Sequence, residues 1–212
     1  MTTEHVCGCD AAEDSPITEN ETAKALAEDL GIDNPLMESD QGPAPEVGDT
    51  GTVVSVNISA RKGTRKKPVP EGVIRLLADD GVENDAHAGN WHRQVSFLAE
   101  ESIACAREHG LDVGYGDFAE NITTKGINIK GMPLGTILKV GTATLEVSQI
   151  GKVCHTRCAI YYLAGDCIFP REGIFGWVME PGEVHVGRRD PGGFPGRRRG
   201  PPGALGQASI NH

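Results

Sequence analysis

Short apolar runs separated by turn residues fill the middle of the chain. "TVVSVNIS", "VIRLL", "QVSFL", "AENITT", "TILKV", "ATLEVSQI" and "EVHV" each span five to eight residues or fewer, are rich in Val, Ile and Thr, and end at Gly- or Pro-bearing turns. Runs of that length and composition predict strands. One segment interrupts them with helical spacing, from about Ala99 to His109, where Gly110 supplies the stop and Leu111 the apolar residue beyond it. Near the start, Thr18-x-x-Glu21 forms a capping box and Gly31 a C-terminal stop. Between them Ala23, Leu26, Ala27 and Leu30 share one face, which predicts a short docking helix. "NPLMESDQGPAPEVGD" then reads as a linker, and no internal repeat is found.

Many short strands with one or two helices predict a mainly β fold, a closed or partly open β-barrel rather than a βαβ sheet. No glycine-rich strand-to-helix turn of the dinucleotide-binding type is present. The predicted organisation is a flexible acidic arm with its helix and linker over 1–50, one β domain over 51–190, and a tail over 191–212. In that tail "PGGFPGRRRGPPGALG" has ten Gly or Pro in 16 residues, too little apolar surface to order it. Its three arginines read as a solvated or non-native extension rather than a functional element.

Charge sharpens the division. Residues 1–50 carry 13 acids and one lysine, whereas residues 51–212 carry 17 acids against 19 lysines and arginines. The net charge of −10 therefore belongs to the arm, and the body is near neutral with local basic clusters. Aromatic residues make up 5%, too few for a base-stacking platform, so no specific nucleic-acid partner is expected. Neither a signal peptide nor an apolar run of the ~20 residues a membrane span requires is found. A cytoplasmic protein with reduced cysteines is expected.

Three of the six cysteines fall in "GKVCHTRCAIYYLAGDCIFPREGIF", from Gly151 to Phe175. A structural zinc site favours close pairs such as C-x2-C. Here Cys154 and Cys158 have three residues between them, and Cys154 and its neighbour His155 would point to opposite faces of a strand. A single reactive thiol fits better. Lys152, His155 and Arg157 surround Cys154 with cations that favour its thiolate, which suits a soft metal or sulfur transfer. Cys105, Cys158 and Cys167 read as small buried hydrophobes. "NDAHAGNWHRQVSFL" adds Asp85, His87, His92 and Arg93 ahead of a strand, four polar groups in nine residues. "SARKGTRKKPV" supplies Arg61, Lys62, Arg65, Lys66 and Lys67 around Gly63-Thr64, either a phosphate cradle or a solvated basic loop.

Together these motifs resemble a known family. Gly151-Lys152-x-Cys154-His155-x-x-Cys158-x-Ile160-Tyr161, Gly165-Asp166-Cys167 and Pro170-Arg171-Glu172-Gly173-Ile174-Phe175 are similar to the signature of stand-alone MOSC domains. The name refers to the C-terminal domain of molybdenum-cofactor sulfurases. Asp85-x-His87-Ala88-Gly89, His92-Arg93-Gln94-Val95-Ser96 and Phe118-x-Glu120-Asn121-Ile122-Thr123 resemble the family's other motifs, in order. The resemblance spans roughly residues 50–190 and implies a barrel-like β fold. It implies binding of the molybdenum cofactor (molybdopterin), in cofactor-dependent oxidoreductase catalysis or in sulfur transfer to a metal–sulfur centre. Cys154 matches the family's essential cysteine, as metal ligand or persulfide carrier. His155, Asp85 and His87 join it as catalytic candidates. Lys66, His92, Arg93, Asn121, Lys152 and Arg171 are the candidates for the cofactor's phosphate and pterin. A cysteine desulfurase, or a cofactor-biosynthesis or cofactor-dependent enzyme, is the expected partner. The chain has no room for a desulfurase of its own, so pyridoxal phosphate is not expected. The competing reading is a non-catalytic, zinc-bound interaction domain.

Overall fold

The computed structural model describes residues 39–152 and 167–187. The expected Thr18–Leu30 helix, Cys154, His155, Cys158 and the 191–212 tail lie outside the described residues. Ten strands and two helices follow in order: β1 (Thr52–Ile58), β2 (Lys67–Pro68), β3 (Val73–Leu77), β4 (Gly81–Val82), β5 (Val95–Ala99), α1 (Glu100–Glu108), β6 (Ile122–Lys125), β7 (Ile137–Val140), β8 (Ala143–Ile150), α2 (Phe169–Glu172), β9 (Ile174–Glu180) and β10 (Gly182–His185). The mainly β expectation holds among the described residues; of the two helices there, α1 was expected and the short α2 was not.

The strands form two sheets. The larger has the order β2-β1-β6-β5-β9-β8-β7 and the smaller β10-β3-β4. A closed barrel is not found among the described residues, because β2 and β7 stand at opposite ends of the larger sheet. Pro68 helps to end it, since proline brings no N–H to a further neighbour. The pairs are antiparallel with one exception. β5 and β6 pair in parallel, and α1 supplies the crossover that a parallel pair requires.

That crossover explains why β5 is buried along its whole length. Phe97 and Ala99 face the main core, with Val53, Val56, Ile122, Leu145 and Val178 from the large sheet and Leu76, Val82 and Val184 from the small one. Leu98 faces a second cluster, with Ile103 and Ala106 of α1, Phe118, Phe169 and Phe175. A strand covered on both faces reads as continuously apolar, as "VSFLA" does. β9 escaped the sequence reading because Gly176 interrupts its pattern. A Cβ there would meet Leu145 Cδ2 at 3.1 Å and Phe97 Cε2 at 3.2 Å, so the glycine lets these two core side chains approach the strand closely.

Several backbone bonds join the sheets, among them Asp79 N to Val178 O at 3.2 Å. Thr142 N donates to Glu183 O at 3.0 Å and Glu183 N to Thr142 Oγ1 at 2.8 Å, docking the β7–β8 turn on β10. Gly187 N donates to Val53 O at 2.8 Å. The linker is also part of the body. Asn128 Nδ2 donates to Gly42 O at 2.6 Å and Ile129 N to Gln41 Oε1 at 3.1 Å. The sequence boundary at residue 51 therefore falls inside the bonded unit, which reaches back at least to Ser39.

Gly141 shows what the docking of the β7–β8 turn demands. Its φ is +63°, and an added Cβ would overlap the Glu183 carbonyl. Gly126 has φ +75° with open space around it. Gly141→Ala should destabilise by at least about 2 kcal/mol, through left-handed strain plus overpacking, and Gly126→Ala by only about 1 kcal/mol. Urea unfolding of both variants checks this; equal losses would show that the β7–β8 turn is not tightly docked.

Candidate functional site

The basic loop after β1 is not the open cradle its sequence implies. Ser59 Oγ bonds Thr64 Oγ1 at 2.9 Å and Arg61 O at 2.6 Å, closing the loop on itself. Arg61, Lys62 and Lys67 remain exposed, while Lys66 turns inward. Its Nζ meets Asp85 Oδ2 at 2.5 Å, with both side chains 1% exposed. Asp85 also accepts from Ser59 N at 3.0 Å and His87 N at 2.9 Å. His87 Nδ1 lies 3.4 Å from Asp85 Oδ1 and 3.5 Å from Lys66 Nζ. Burial alone would raise the Asp85 carboxyl, but the His87 ring and the Lys66 ammonium outweigh it and hold Asp85 well below the usual range. Asp85 is thus an ionised acceptor that orients a partly exposed imidazole. Among the described residues His87 Nε2 has no hydrogen-bond partner, the arrangement a proton-transfer histidine needs.

The β5–β6 motif sits beneath this pair. Asn121 Oδ1 accepts from Ser96 Oγ at 2.9 Å and Nδ2 donates to Asn57 O at 3.1 Å. Its side chain is buried and braces β1, β5 and β6, so Asn121 supports the site from behind. Glu120, which sequence reasoning passed over as a site residue, is fully buried. Its Oε1 accepts from Gly116 N at 2.5 Å and Thr123 Oγ1 at 3.2 Å, while Oε2 has no partner among the described residues. Burial pushes this carboxyl up to about 7, against the pull of those donors. Ala119 before it holds φ +67°, a conformation non-glycine residues seldom adopt.

A second group leads toward the cysteine segment. Trp91 Nε1 donates to His87 O at 2.9 Å. The Arg93 guanidinium carbon lies 4.9 Å from the Trp91 ring centre and 5.8 Å from that of Phe175. Arg93 Nε is buried without an acceptor, and no carboxylate pairs with this arginine among the described residues. His92 Nε2 meets Gln149 Oε1 at 3.0 Å, and Gln149 Nε2 donates to Gly151 O at 2.9 Å. A bulge in β8 between Val147 and Gln149 aims Ser148 inward, where its hydroxyl donates to His92 O and Phe175 O. Gly151 N donates to Gly173 O at 2.7 Å and Lys152 N to Pro170 O at 3.1 Å, fixing the entry to the cysteine segment.

The sequence candidates thus fall into three sets. Lys66, Asp85 and His87 are in direct contact. His92 is linked through Gln149 to Gly151, Arg93 packs on Phe175, and Lys152 N bonds Pro170 O of α2, which also carries the half-buried Arg171. Cys154 and His155 lie outside the described residues. Cys105 and Cys167 are half-buried and pack against the second apolar cluster, rather than being fully buried in it. Burial, with Glu172 and Glu108 nearby, raises the Cys105 thiol and leaves it poorly nucleophilic. The aromatic clamp on Arg93 was missed, although Trp91 stands two residues away in "NWHR".

Glu120 generates a pH prediction. Its raised folded value means that the unfolded chain binds fewer protons between 4.5 and about 7, so stability falls as pH rises through that window. Glu120→Gln cannot ionise. The stability difference between about pH 5 and about pH 8 should shrink by about 2–3 kcal/mol in urea unfolding. An unchanged pH dependence would show Glu120 ionised in the folded protein.

Comparison with known proteins places this geometry. A family profile described as "MOSC domain" matches residues 84–189. No curated protein matches the chain. Among solved structures, the chain is similar to the YUAD protein from Bacillus subtilis, with 19% identity, a TM-score of 0.53, and coverage of 65% of this chain and 92% of that one. It is also similar to YiiM from Geobacillus stearothermophilus, with 21% identity, a TM-score of 0.49, and coverage of 64% and 71%. YiiM from Escherichia coli gives 23% identity, a TM-score of 0.48, and coverage of 66% and 67%. The likeness to YUAD speaks for the fold alone. The profile match spans half of the sequence and takes in the Asp85–His87, Arg93, Glu120 and Cys154 motifs, so the chain belongs to the MOSC domain family.

Proposed function

We propose that this chain binds the molybdenum cofactor and acts through Cys154, either in cofactor-dependent catalysis or in sulfur transfer to a metal–sulfur centre. The observation that carries the reading is Arg93. A guanidinium set against two aromatic rings, with a buried Nε lacking an acceptor, is prepared for an anion. Phosphate supplies oxygens that a planar fork can engage two at a time. The donor set fits the cofactor's anionic end: Arg93, Lys152 and Arg171 would hold the phosphate, and His92 would meet the pterin. Cys154 Sγ would face the metal, since thiolate is a soft ligand. When bound, the cofactor supplies a redox-active molybdenum centre for atom transfer.

The chain's own residues prepare the remaining steps. Asp85 orients His87, whose Nε2 can give or take a proton. Lys66 acts through Asp85 rather than on phosphate, because its ammonium is already committed to that carboxylate. Asn121 fixes the strands that carry this group. In the sulfur-transfer form, the Cys154 thiolate would attack the outer sulfur of a persulfide on a separate cysteine desulfurase, breaking that S–S bond and releasing the donor's cysteine thiolate, and would hold the sulfur as its own persulfide.

Two substitutions test the reading. Cys154→Ser should abolish both molybdenum loading and persulfide, since a serine oxygen replaces neither function. Arg93→Ala should weaken cofactor binding at least about tenfold, because removing one partner of a buried charge pair typically costs about 2–5 kcal/mol. Persulfide formation should survive Arg93→Ala. Unchanged cofactor affinity in that variant would remove Arg93 from the site and favour the relay.

A further inference from the structure

The turn ahead of β6 is pressed against Lys66. Lys66 N donates to Gly116 O at 2.8 Å, and a Cβ on Gly116 would come within 2.5 Å of Lys66 O. Gly116 holds φ +85° and Ala119 φ +67°, so two left-handed residues bend the turn and send Glu120 inward. Glu120 is fully buried there. Its Oε1 serves Gly116 N and Thr123 Oγ1, and Oε2 has no partner among the described residues. A glutamine oxygen would accept both bonds equally well. Neither bond calls for an ionisable group.

The charge itself reaches Lys66. Burial pulls the Lys66 ammonium below the ordinary lysine range, and two carboxylates oppose the pull, Asp85 first and Glu120 after it. The two differ in character. Asp85 is ionised and holds His87, with Oδ1 3.4 Å from Nδ1, while Lys66 Nζ lies 3.5 Å from the same ring nitrogen. Glu120, pushed up to about 7 by its burial, changes charge near neutral pH. Asp117, on the same turn, is paired with Arg65 at 3.3 Å. We propose that Glu120 is a positioning residue that governs how tightly His87 holds its proton, by sharing Lys66 with Asp85. While Glu120 is neutral, the ammonium answers Asp85 alone and opposes a proton on His87. Once Glu120 is ionised, it partly cancels the field of that ammonium, and the imidazole holds its proton more firmly. The two groups then compete for protons. The proposal rests on His87 as the proton-moving group of the reading above, and not on the cofactor.

Proton NMR of the full chain tests this, with the His87 ring signal assigned by its loss in His87→Gln. In the wild type the His87 titration should be broader than one independent group gives, because each bound proton discourages the other. Glu120→Gln keeps the acceptor for Gly116 N and cannot ionise. It should narrow the curve to that of a single site and reduce the protonated-to-neutral ratio of His87 at about pH 8 at least about twofold. A change in packing alone would move the curve without narrowing it. If Glu120→Gln does not fold, wild-type protein with isotope-labelled glutamate carboxyls answers the same question: the Glu120 carboxyl and the His87 ring should share an inflection. The proposal is overturned by a single-site His87 curve in the wild type, by a curve that Glu120→Gln leaves unaltered, or by the lack of a shared inflection. His87 coupled to Glu120 in a protein that loads neither molybdenum nor sulfur would sink the cofactor reading and leave this coupling standing.

Discussion

A lysine and an aspartate, each 1% exposed, face one another at 2.5 Å, and the functional face is arranged around that contact. Two such charges are tolerated inside a protein only together. The pair itself adds little stability over apolar replacements, but leaving either partner alone typically costs about 3–5 kcal/mol. The constraint is therefore positional. Lys66 must come inward at the end of the loop after β1, and Asp85 must sit in the turn after β4. Ser59 N and Ala86 N tie the same two turns through Asp85 and Ser59 O. His87 inherits its orientation from Asp85, Trp91 reaches back to His87 O, and Arg93 rests on Trp91.

The sheet delivers this chain of contacts to one place. β5 runs parallel to β6 and antiparallel to β9, so the segments on either side of it converge. Gln94, just before β5, accepts from Val178 N of β9 at 2.8 Å and donates to Gly89 O. Phe175 of β9 forms the second wall of the Arg93 clamp. The β8 bulge turns Ser148 toward His92 and Phe175, while Gln149 links His92 to Gly151. Charged and polar groups distant in sequence thus surround the point where the cysteine segment begins.

Much of the fold was legible where the signal was local. β1, β3, β7 and β8 and the helix α1 fall within a residue or two of their expected bounds, because alternation, turn glycines and the Gly110 stop are properties of short windows. β9 was hidden by Gly176, whose reason lies across the core in Leu145 and Phe97. The parallel crossover was hidden because strand order is a long-range property. At the site, Asp85 and His87 stood out as a polar cluster, and the structure brings them into contact. Lys66 was picked out only by the family resemblance, as a phosphate partner, and its pairing with Asp85 was not legible, since five basic residues in seven positions look alike until one is buried. Glu120 and Glu172 were quoted within motifs without a role, because burial and the approach of donors from far along the chain give them their character.

The chain belongs to the MOSC family, and the buried Arg93 Nε has no acceptor among the described residues; both support the proposed cofactor reading, with Cys154 two residues beyond Lys152 in sequence. Among the described residues no helix is long and apolar enough to cross a membrane. The central claim is that Cys154 serves molybdenum or transferable sulfur rather than zinc. Elemental analysis and intact mass of the full chain, purified from a host that makes the cofactor, test it most directly. The account predicts molybdenum approaching one atom per chain, or the mass of one added sulfur that a thiol reductant removes. Stoichiometric zinc, with neither molybdenum nor labile sulfur, would contradict it.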